Sequence, residues 1–246
     1  MGLSLTVLGC GGTYAGPGNA CSSYLLRTTD TTVLCDLGPG ALANAQRHVD
    51  LVDIDAIVLT HEHADHWTDL PVTRNVYRYV LDRPDLPVFA TAGTQALARP
   101  LCGGGEPFAW TTITDGARVE VGDIRFSFSR TDHPVETLAV LAESGGASLV
   151  YSADTGPGWS PRAFGVRPDL AIMEATFDRE HTNPVHLTAA QAGERAAQVG
   201  ARRLVLTHLL PGTDPAGQRA AASATFGGPV EMAEPGATFT VVAAER

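Results

Sequence analysis

The sequence contains no lysine: all 17 of its basic residues are arginine, set against 27 acidic ones for a net charge of −10. Schiff-base chemistry and a P-loop both need a lysine amine and are excluded. The acidic balance argues against a general binder of nucleic acid or membrane surface. No apolar run approaches a membrane span, and the first twenty residues lack the basic region of a signal peptide, so a cytoplasmic protein with no membrane partner is expected. Cysteine is sparse, at positions 10, 21, 35 and 102 without CxxC spacing, which reads as reduced thiols rather than a disulfide framework. What is present, 246 residues of which 44% are hydrophobic and 18% charged, suits one large core and excludes disorder or a fibre.

Short β-type runs recur early, Leu3 to Leu8, Ser22 to Arg27, Thr32 to Asp36 and Ala56 to Leu59, broken by Gly, Pro and Asp clusters. Ala41 to His48 and Thr68 to Val80 read as helices, the second with Pro71 in its first turn. His48 would then cap a helix C-terminus, where a cation suits the dipole. Arg118 to Phe128 alternates apolar and polar residues around Gly122-Asp123, a hairpin signal, and a second hairpin pivots on Gly145-Gly146. Strands at Leu170 to Met173 and Arg203 to Leu206 flank a helix from Thr188 to Val199, and a helix near Ala216 to Phe226 and a final strand complete the chain. No repeat or linker divides it, and the glycine cluster at 102–107 reads as a loop. The pattern is one α/β domain over residues 1–246 with largely antiparallel sheets.

The densest chemistry is Ile57-Val-Leu-Thr-His-Glu-His-Ala-Asp-His66, a buried strand running into three histidines and an aspartate. Four potential ligands packed this closely form a metal-binding set rather than a solvated turn. In an extended segment His61 and His63 face the same way. A turn brings Asp65 and His66 to a second, adjacent position, so one segment can serve two metals. Glu62, between the histidines, points away and reads as a solvated carboxylate. His181, in a polar loop, reads as surface.

His61-Glu-His-Ala-Asp-His66 resembles the HxHxDH signature of the metallo-β-lactamase superfamily. The resemblance continues through Arg130-Thr-Asp-His133-Pro, Leu149-Val-Tyr-Ser-Ala-Asp154 and Leu204-Val-Leu-Thr-His208. It implies an αββα four-layer sandwich, with His61, His63 and His133 on one metal, Asp65, His66 and His208 on a second, and Asp154 bridging. It also implies that Asp36 supports the metal histidines by hydrogen bonding. Two divalent ions are expected, zinc foremost for so nitrogen-rich a set, with manganese or iron as alternatives. Flavodiiron relatives usually carry glutamate where His63 stands, which disfavours an oxygen-reducing iron site.

Ile172-Met-Glu174-Ala-Thr and His186-Leu-Thr resemble segments of ribonuclease Z and its relatives, in which the carboxylate orients a histidine that assists departure of the leaving oxygen. The plainer reading of His186 is a polar residue flanking a helix start. The glycine-rich run Gly9 to Ser23 resembles the same branch, and either offers N–H groups to a phosphate or tightly joins two strands. Ribonuclease Z clamps tRNA with a long arm between the positions of His133 and Asp154; here 21 positions, filled by two strands and a turn, separate them, and the basic stripe expected for tRNA is missing. Leu8-Gly-Cys, Asp36-Leu-Gly-Pro-Gly, Asp65-His-Trp-Thr-Asp-Leu-Pro71 and His133-Pro-Val-Glu-Thr137 resemble actinobacterial cyclic-nucleotide phosphodiesterases of this fold. Glu136-Thr-Leu-Ala-Val140 departs from the Ser-Phe-Gly-like sequence frequent there.

The resemblance thus implies hydrolysis of a small phosphodiester, a 3′,5′-cyclic nucleotide, by a hydroxide held between the metals, with Asp65, His186 and Glu174 as catalytic residues and no long nucleic acid as partner. The alternatives are a tRNA 3′-processing endoribonuclease and a thioester or lactam hydrolase. Relatives of this branch are commonly dimers, which implies a homodimer. Trp67 and Tyr14 could stack on a base, packing being the plainer use of either.

Overall fold

Strands form where the sequence runs apolar and break where Gly, Pro and Asp cluster. The computed structural model describes residues 2–103, 107–179, 181–182 and 184–243. Its first half lays down β1 (Ser4–Gly11), β2 (Ala20–Cys21), β3 (Ser23–Arg27), β4 (Thr32–Cys35), α1 (Ala41–Ala45), β5 (Ala56–Leu59), α2 (Leu70–Tyr79), β6 (Leu86–Ala90), α3 (Ala92–Leu101) and β7 (Phe108–Thr112). The second half adds β8 (Arg118–Val121), β9 (Ile124–Arg130), β10 (Leu138–Ser144), β11 (Ala147–Tyr151), β12 (Leu170–Glu174), α4 (Ala189–Val199), β13 (Leu204–Thr207), α5 (Pro215–Phe226), β14 (Val230–Met232) and β15 (Thr238–Thr240).

The strands form two sheets, ordered β15-β1-β3-β4-β5-β6-β7, with β2 beside β1, and β14-β13-β12-β11-β10-β9-β8. In each sheet antiparallel pairing gives way to parallel pairing midway, from β4 to β7 and from β11 to β14. The expectation of largely antiparallel sheets is corrected: the parallel additions β6, β7 and β14 are hard to see in the sequence. Leu86-Pro-Val-Phe-Ala90 carries a proline, which strands confine to starts, edges and bulges. The crossover helix α3 has Gly93 in its first turn and Pro100 near its end, both poor helix formers.

Alternation along each strand sorts side chains into three buried clusters. Val7, Tyr24, Val58, Phe126, Tyr151, Ile172 and Val205 meet between the sheets. Leu34, Ile57, Leu70 and Tyr77 pack the outer face of the first sheet under α1, α2 and α3. Val150, Met173, Ala192 and Phe226 pack the outer face of the second under α4 and α5. The layers are therefore helix, sheet, sheet, helix, and each fully buried Leu, Ile or Val contributes roughly 1.5–3 kcal/mol. Thr188 and Gln191 form a capping box at the start of α4, whose small buried stripe lets α5 close in: a Cβ on Gly193 would stand 2.5 Å from Ala222 O.

α1 stops at Ala45, so His48 falls in the next turn rather than at the helix end as the sequence suggests; the bonds from His48 N (2.8 Å) and Val49 N (3.0 Å) to Ala45 O tighten that turn and bury Val49. Part of the glycine cluster, Gly104 to Glu106, lies outside the described residues. No helix among the described residues is long and apolar enough to cross a membrane. The pairing directions place the C-terminal ends of β1, β4 and β5 on one rim of the first sheet, and those of β9, β11, β12 and β13 on one rim of the second.

Candidate metal centre

β5 is stopped by its neighbour. Asp36, just past β4, accepts hydrogen bonds from Thr60 N (2.8 Å) and Thr60 Oγ1 (3.0 Å), and the chain runs on from there to His61 and His63. A short 3-10 turn, Ala64–His66, then folds His66 back, its N–H bonding His63 O at 3.0 Å. His61 and His66 are fully buried, His63 partly. Trp67 is buried beside them with Nε1–H on Glu62 O (2.9 Å), so of the two aromatics considered for base stacking only Tyr14 is exposed. The reading of Glu62 as a solvated carboxylate is corrected. It is partly buried against the first turn of α3, where a Cβ on Gly93 would come within 1.7 Å of Oε2 and the helix dipole favours an anion.

The second sheet delivers its residues one strand end at a time: His133 after β9, Asp154 after β11, Glu174 as the last residue of β12 and His208 after β13. Backbone strain concentrates here. Asp36 (φ 58°), Ala153 (φ 49°), His208 (φ 57°) and Thr13 (φ 65°) adopt the left-handed conformation, which costs a non-glycine residue about 1–3 kcal/mol.

Three overlapping groups result, each with candidate ligand atoms within 4.8 Å of one another: His61, His63, His133 and Asp154; Asp65, His66 and His208; Asp154, His186 and His208. Asp154 Oδ1 stands 3.3 Å from His66 Nε2 and 3.4 Å from His208 Nε2, and its Oδ2 3.5 Å from His61 Nε2. His133 Nε2 lies 3.2 Å from His63 Nδ1, and His208 Nε2 3.2 Å from Asp65 Oδ2.

The outer hydrogen bonds fix the tautomers. His66 Nδ1 donates to Asp36 Oδ2 (2.8 Å) and His133 Nδ1 to Val185 O (3.0 Å). Thr60 Oγ1 gives its proton to Asp36 and so accepts from His61 Nδ1 (3.0 Å); Thr176 Oγ1 gives its proton to Glu174 Oε2 (2.8 Å) and accepts from His208 Nδ1 (2.8 Å). Each inner Nε2 is left with a lone pair aimed into the cluster. Lone pairs facing one another at such separations repel unless a cation lies between. Edges of 3.2–3.5 Å are those of a tetrahedron built on metal bonds of about 2.0–2.1 Å. Two buried atoms that find no hydrogen-bond partner among the described residues, His61 Nε2 and Asp154 Oδ1, belong to the same cluster. The donor set fits a divalent metal.

The electrostatics agree. Burial opposes charge throughout, yet His208, His66 and His61 hold Asp154 well below the usual carboxylate range, while Asp154 and Asp36 hold His66 well above the usual imidazole range. Burial pushes His61 down to about 4 and also lowers His133. Such a cluster demands compensating positive charge, which a bound cation supplies in place of protons.

At the rim, His186 is 14% exposed and its Nδ1 bonds Glu174 Oε1 at 2.9 Å, leaving Nε2 without a hydrogen-bond partner among the described residues. Buried Glu174 also accepts from Thr155 N (2.7 Å) and Thr176 Oγ1 (2.8 Å). Burial opposes charge on His186, but the bond to Glu174 and its negative charge prevail and raise the ring to about 9. The glycine-rich loop is a tight connection: N–H groups of Gly12, Thr13, Tyr14 and Gly16 bond Leu209 O, Asp65 Oδ2, Gly12 O and Asn19 O, so none of these four faces a phosphate. His181 is exposed, its ring against Phe177 (4.1 Å). Thr60, Thr155, Thr176 and Tyr151 back the cluster but escape sequence reading; only Thr60, adjoining His61, carries a signal that could have found it. A cavity of about 720 Å³ on the outer side of β8–β10 contains none of these residues, so convergent donors rather than volume locate the site.

A family profile described as the β-lactamase superfamily domain matches residues 31–209. The chain is similar to an uncharacterized protein of Mycobacterium leprae, 35% identical over 98% of this chain and 90% of that protein. It is 28% identical to a ribonuclease Z of Mycolicibacterium gilvum over 94% of each. The crystal structure of the metallo-β-lactamase fold protein YhfI from Bacillus subtilis matches with a TM-score of 0.89 at 26% identity, covering 97% of this chain and 99% of that one.

Proposed function

The chain belongs to the metallo-hydrolases of the β-lactamase superfamily, and on that premise we propose that it is a dinuclear-metal phosphodiesterase of small substrates, a single domain over residues 1–246 acting on a 3′,5′-cyclic nucleotide. His61, His63 and His133 would hold one metal, Asp65, His66 and His208 the other, with Asp154 between them; zinc suits these donors. Divalent ions at such a site lower the pKa of water and stabilise charge developing on phosphoryl oxygens.

The observation that carries phosphodiester chemistry is the His186–Glu174 pair at 2.9 Å beside the cluster. With Nδ1 held by Glu174, His186 keeps a proton at Nε2 for the departing ribose oxygen. Asp65, its Oδ2 fixed by Thr13 N–H (2.9 Å) and facing His208 Nε2 at 3.2 Å, orients the attacking water. The β10–β11 turn supports a small substrate. Ser144 pairs directly with Ala147 across Gly145 (φ 56°) and Gly146 (φ 83°), so within the interval where ribonuclease Z carries its arm the two strands are joined by a two-residue turn. The net charge of −10 disfavours long nucleic acids but not a small anion drawn to two divalent cations.

Four free cysteines, all buried, support a cytoplasmic setting. Exposed Val72, Tyr79, Val80 and Leu101 on and beside α2 and α3 support a homodimer.

The test is metal analysis joined to a panel of bis-p-nitrophenyl phosphate, cyclic AMP, cyclic GMP, precursor tRNA, a lactam and a thioester. Turnover of the first three with two equivalents of metal is expected. Hydrolysis confined to the lactam or thioester overturns the reading, and preferred cleavage of precursor tRNA replaces it with the ribonuclease Z alternative.

A further inference from the structure

Asp36 Oδ2 accepts three hydrogen bonds, from His66 Nδ1 (2.8 Å), Thr60 Oγ1 (3.0 Å) and Tyr151 OH (3.0 Å), while Oδ1 takes Thr60 N (2.8 Å). All of these donors belong to the first sheet and its loop except Tyr151, which reaches across the inter-sheet core from the last residue of β11. Its ring is 2% exposed and packs tilted against Tyr24 with centroids 4.7 Å apart, so the phenol has little room to swing aside. Burial pushes the phenol well above its usual range, which keeps it a donor.

Three residues past Tyr151, on the same strand end, stands Asp154, whose Oδ1 is 3.3 Å from His66 Nε2. Both nitrogens of His66 are thus governed from one place: Nε2 faces Asp154, and Nδ1 is held by the carboxylate that Tyr151 holds. The contacts close a ring through both sheets, from Tyr151 to Asp36 to His66 to Asp154 and back through strained Ala153 (φ 49°).

We infer that Tyr151 is a positioning residue for the metal on the His66 side, acting through Asp36 to lock ligands from the two sheets into register. It touches neither the ligand ring nor the site of reaction. Without its hydroxyl, Thr60 still holds Asp36 from the first sheet, but nothing ties that carboxylate to β11, and the spacing of His66 and Asp154 is no longer set from both ends. The inference rests on the two-metal reading above and is specific within it: the ion held by Asp65, His66 and His208 weakens, and the one held by His61, His63 and His133 is largely spared.

The test compares Tyr151→Phe with Tyr77→Phe, which removes an equally buried hydroxyl, bonded to Leu51 O at 2.5 Å in the outer layer. Zinc stoichiometry and affinity are measured by chelator competition, together with the thermal unfolding of metal-free protein. Wild type and Tyr77→Phe should bind two equivalents alike. Tyr151→Phe should hold the first normally and the second about 10-fold more weakly, the low end of the cost of losing a ligand's own hydrogen-bond partner, because Tyr151 acts one bond further out. Unchanged binding in Tyr151→Phe, even with a lowered metal-free melting temperature, makes the residue merely structural and overturns the inference, as does equal weakening in Tyr77→Phe. A wild-type protein that binds fewer than two equivalents overturns the two-metal reading itself, and this inference falls with it.

Discussion

The two halves of the molecule build one site in opposite ways. The first gathers four candidate ligands within His61 to His66, in a loop shaped by contacts with Asp36, Trp67 and Gly38. The second contributes His133, Asp154 and His208 from three strand ends spread over 76 positions, inclusive. A loop of the first kind depends on local packing, whereas a constellation of the second kind exists only if the sheet is in register. Asp154 is the joint with the most partners, within 3.5 Å of His61, His66 and His208.

Asp154→Ala should therefore produce the largest effect, because it removes the carboxylate that faces three histidines drawn from both halves. Bound metal should fall below two equivalents by elemental analysis. Turnover of bis-p-nitrophenyl phosphate should drop by about 10⁴-fold, since the charge stabilisation a metal site supplies amounts to several kcal/mol. Retention of both metals would show that the halves do not depend on this joint. His186→Ala comes next. It should keep both metals and lose about 10²–10⁴ in kcat towards a cyclic nucleotide, the range for a lost proton donor. Full turnover with both metals bound removes His186 from the mechanism and leaves the second half a purely ligating role.

The contrast also explains what the sequence could disclose. His61 to His66 is legible because its candidate ligands adjoin and follow an apolar strand. His133, Asp154 and His208 are single residues whose significance came through resemblance, and the fold then brings them within a few ångströms of the loop. Tyr151, Thr155 and Thr176 were out of reach, since a hydroxyl has no spacing signature and gains meaning only once a carboxylate or imidazole from elsewhere lies against it. The parallel edge β6-β7 was obscured by Pro87 in β6 and by Gly93 and Pro100 in α3. Glu62 is illegible for a similar reason: facing away from the candidate ligands leaves solvent as the default, and only the position of α3 shows a helix start against it.

Two glycines probe the halves separately. A Cβ on Gly38 would stand 2.0 Å from Asp65 O in the first-half loop, and one on Gly12 would stand 2.6 Å from His208 O in the second. Both contacts are to backbone, which yields only by shifting the candidate ligand it carries. Gly38→Ala and Gly12→Ala should each cost about 1–3 kcal/mol, which for a chain of this size lowers Tm by about 2–4 °C per kcal/mol. Gly38→Ala should be the worse of the two. The reverse order, measured by calorimetry on metal-free protein, would mean that the loop yields more readily than the strand ends.

The smallest effect reads the first half alone, because all four cysteines lie in residues 10–102. Burial pushes Cys10 and Cys102 up to about 11, from an ordinary value of 9.0. Below pH about 9 these thiols are neutral in folded and unfolded chains alike. Between about 9 and 11 the unfolded chain ionises first, so stability should fall as pH rises through that window. Because all four thiols are buried, alkylation by iodoacetamide at pH 8 has to wait for local opening. Cys21 lies beneath the ligand loop, its Cβ 2.7 Å from where a Cβ on Gly38 would stand, whereas Cys102 lies at the end of α3 in the outer layer. If the loop is held by local contacts and its metals, chelation should speed labelling of Cys21 several-fold and leave Cys102 nearly unchanged, as read by mass spectrometry. Equal acceleration at both would mean that the first half opens as a whole, and the loop would then depend on its sheet no less than the strand ends opposite depend on theirs.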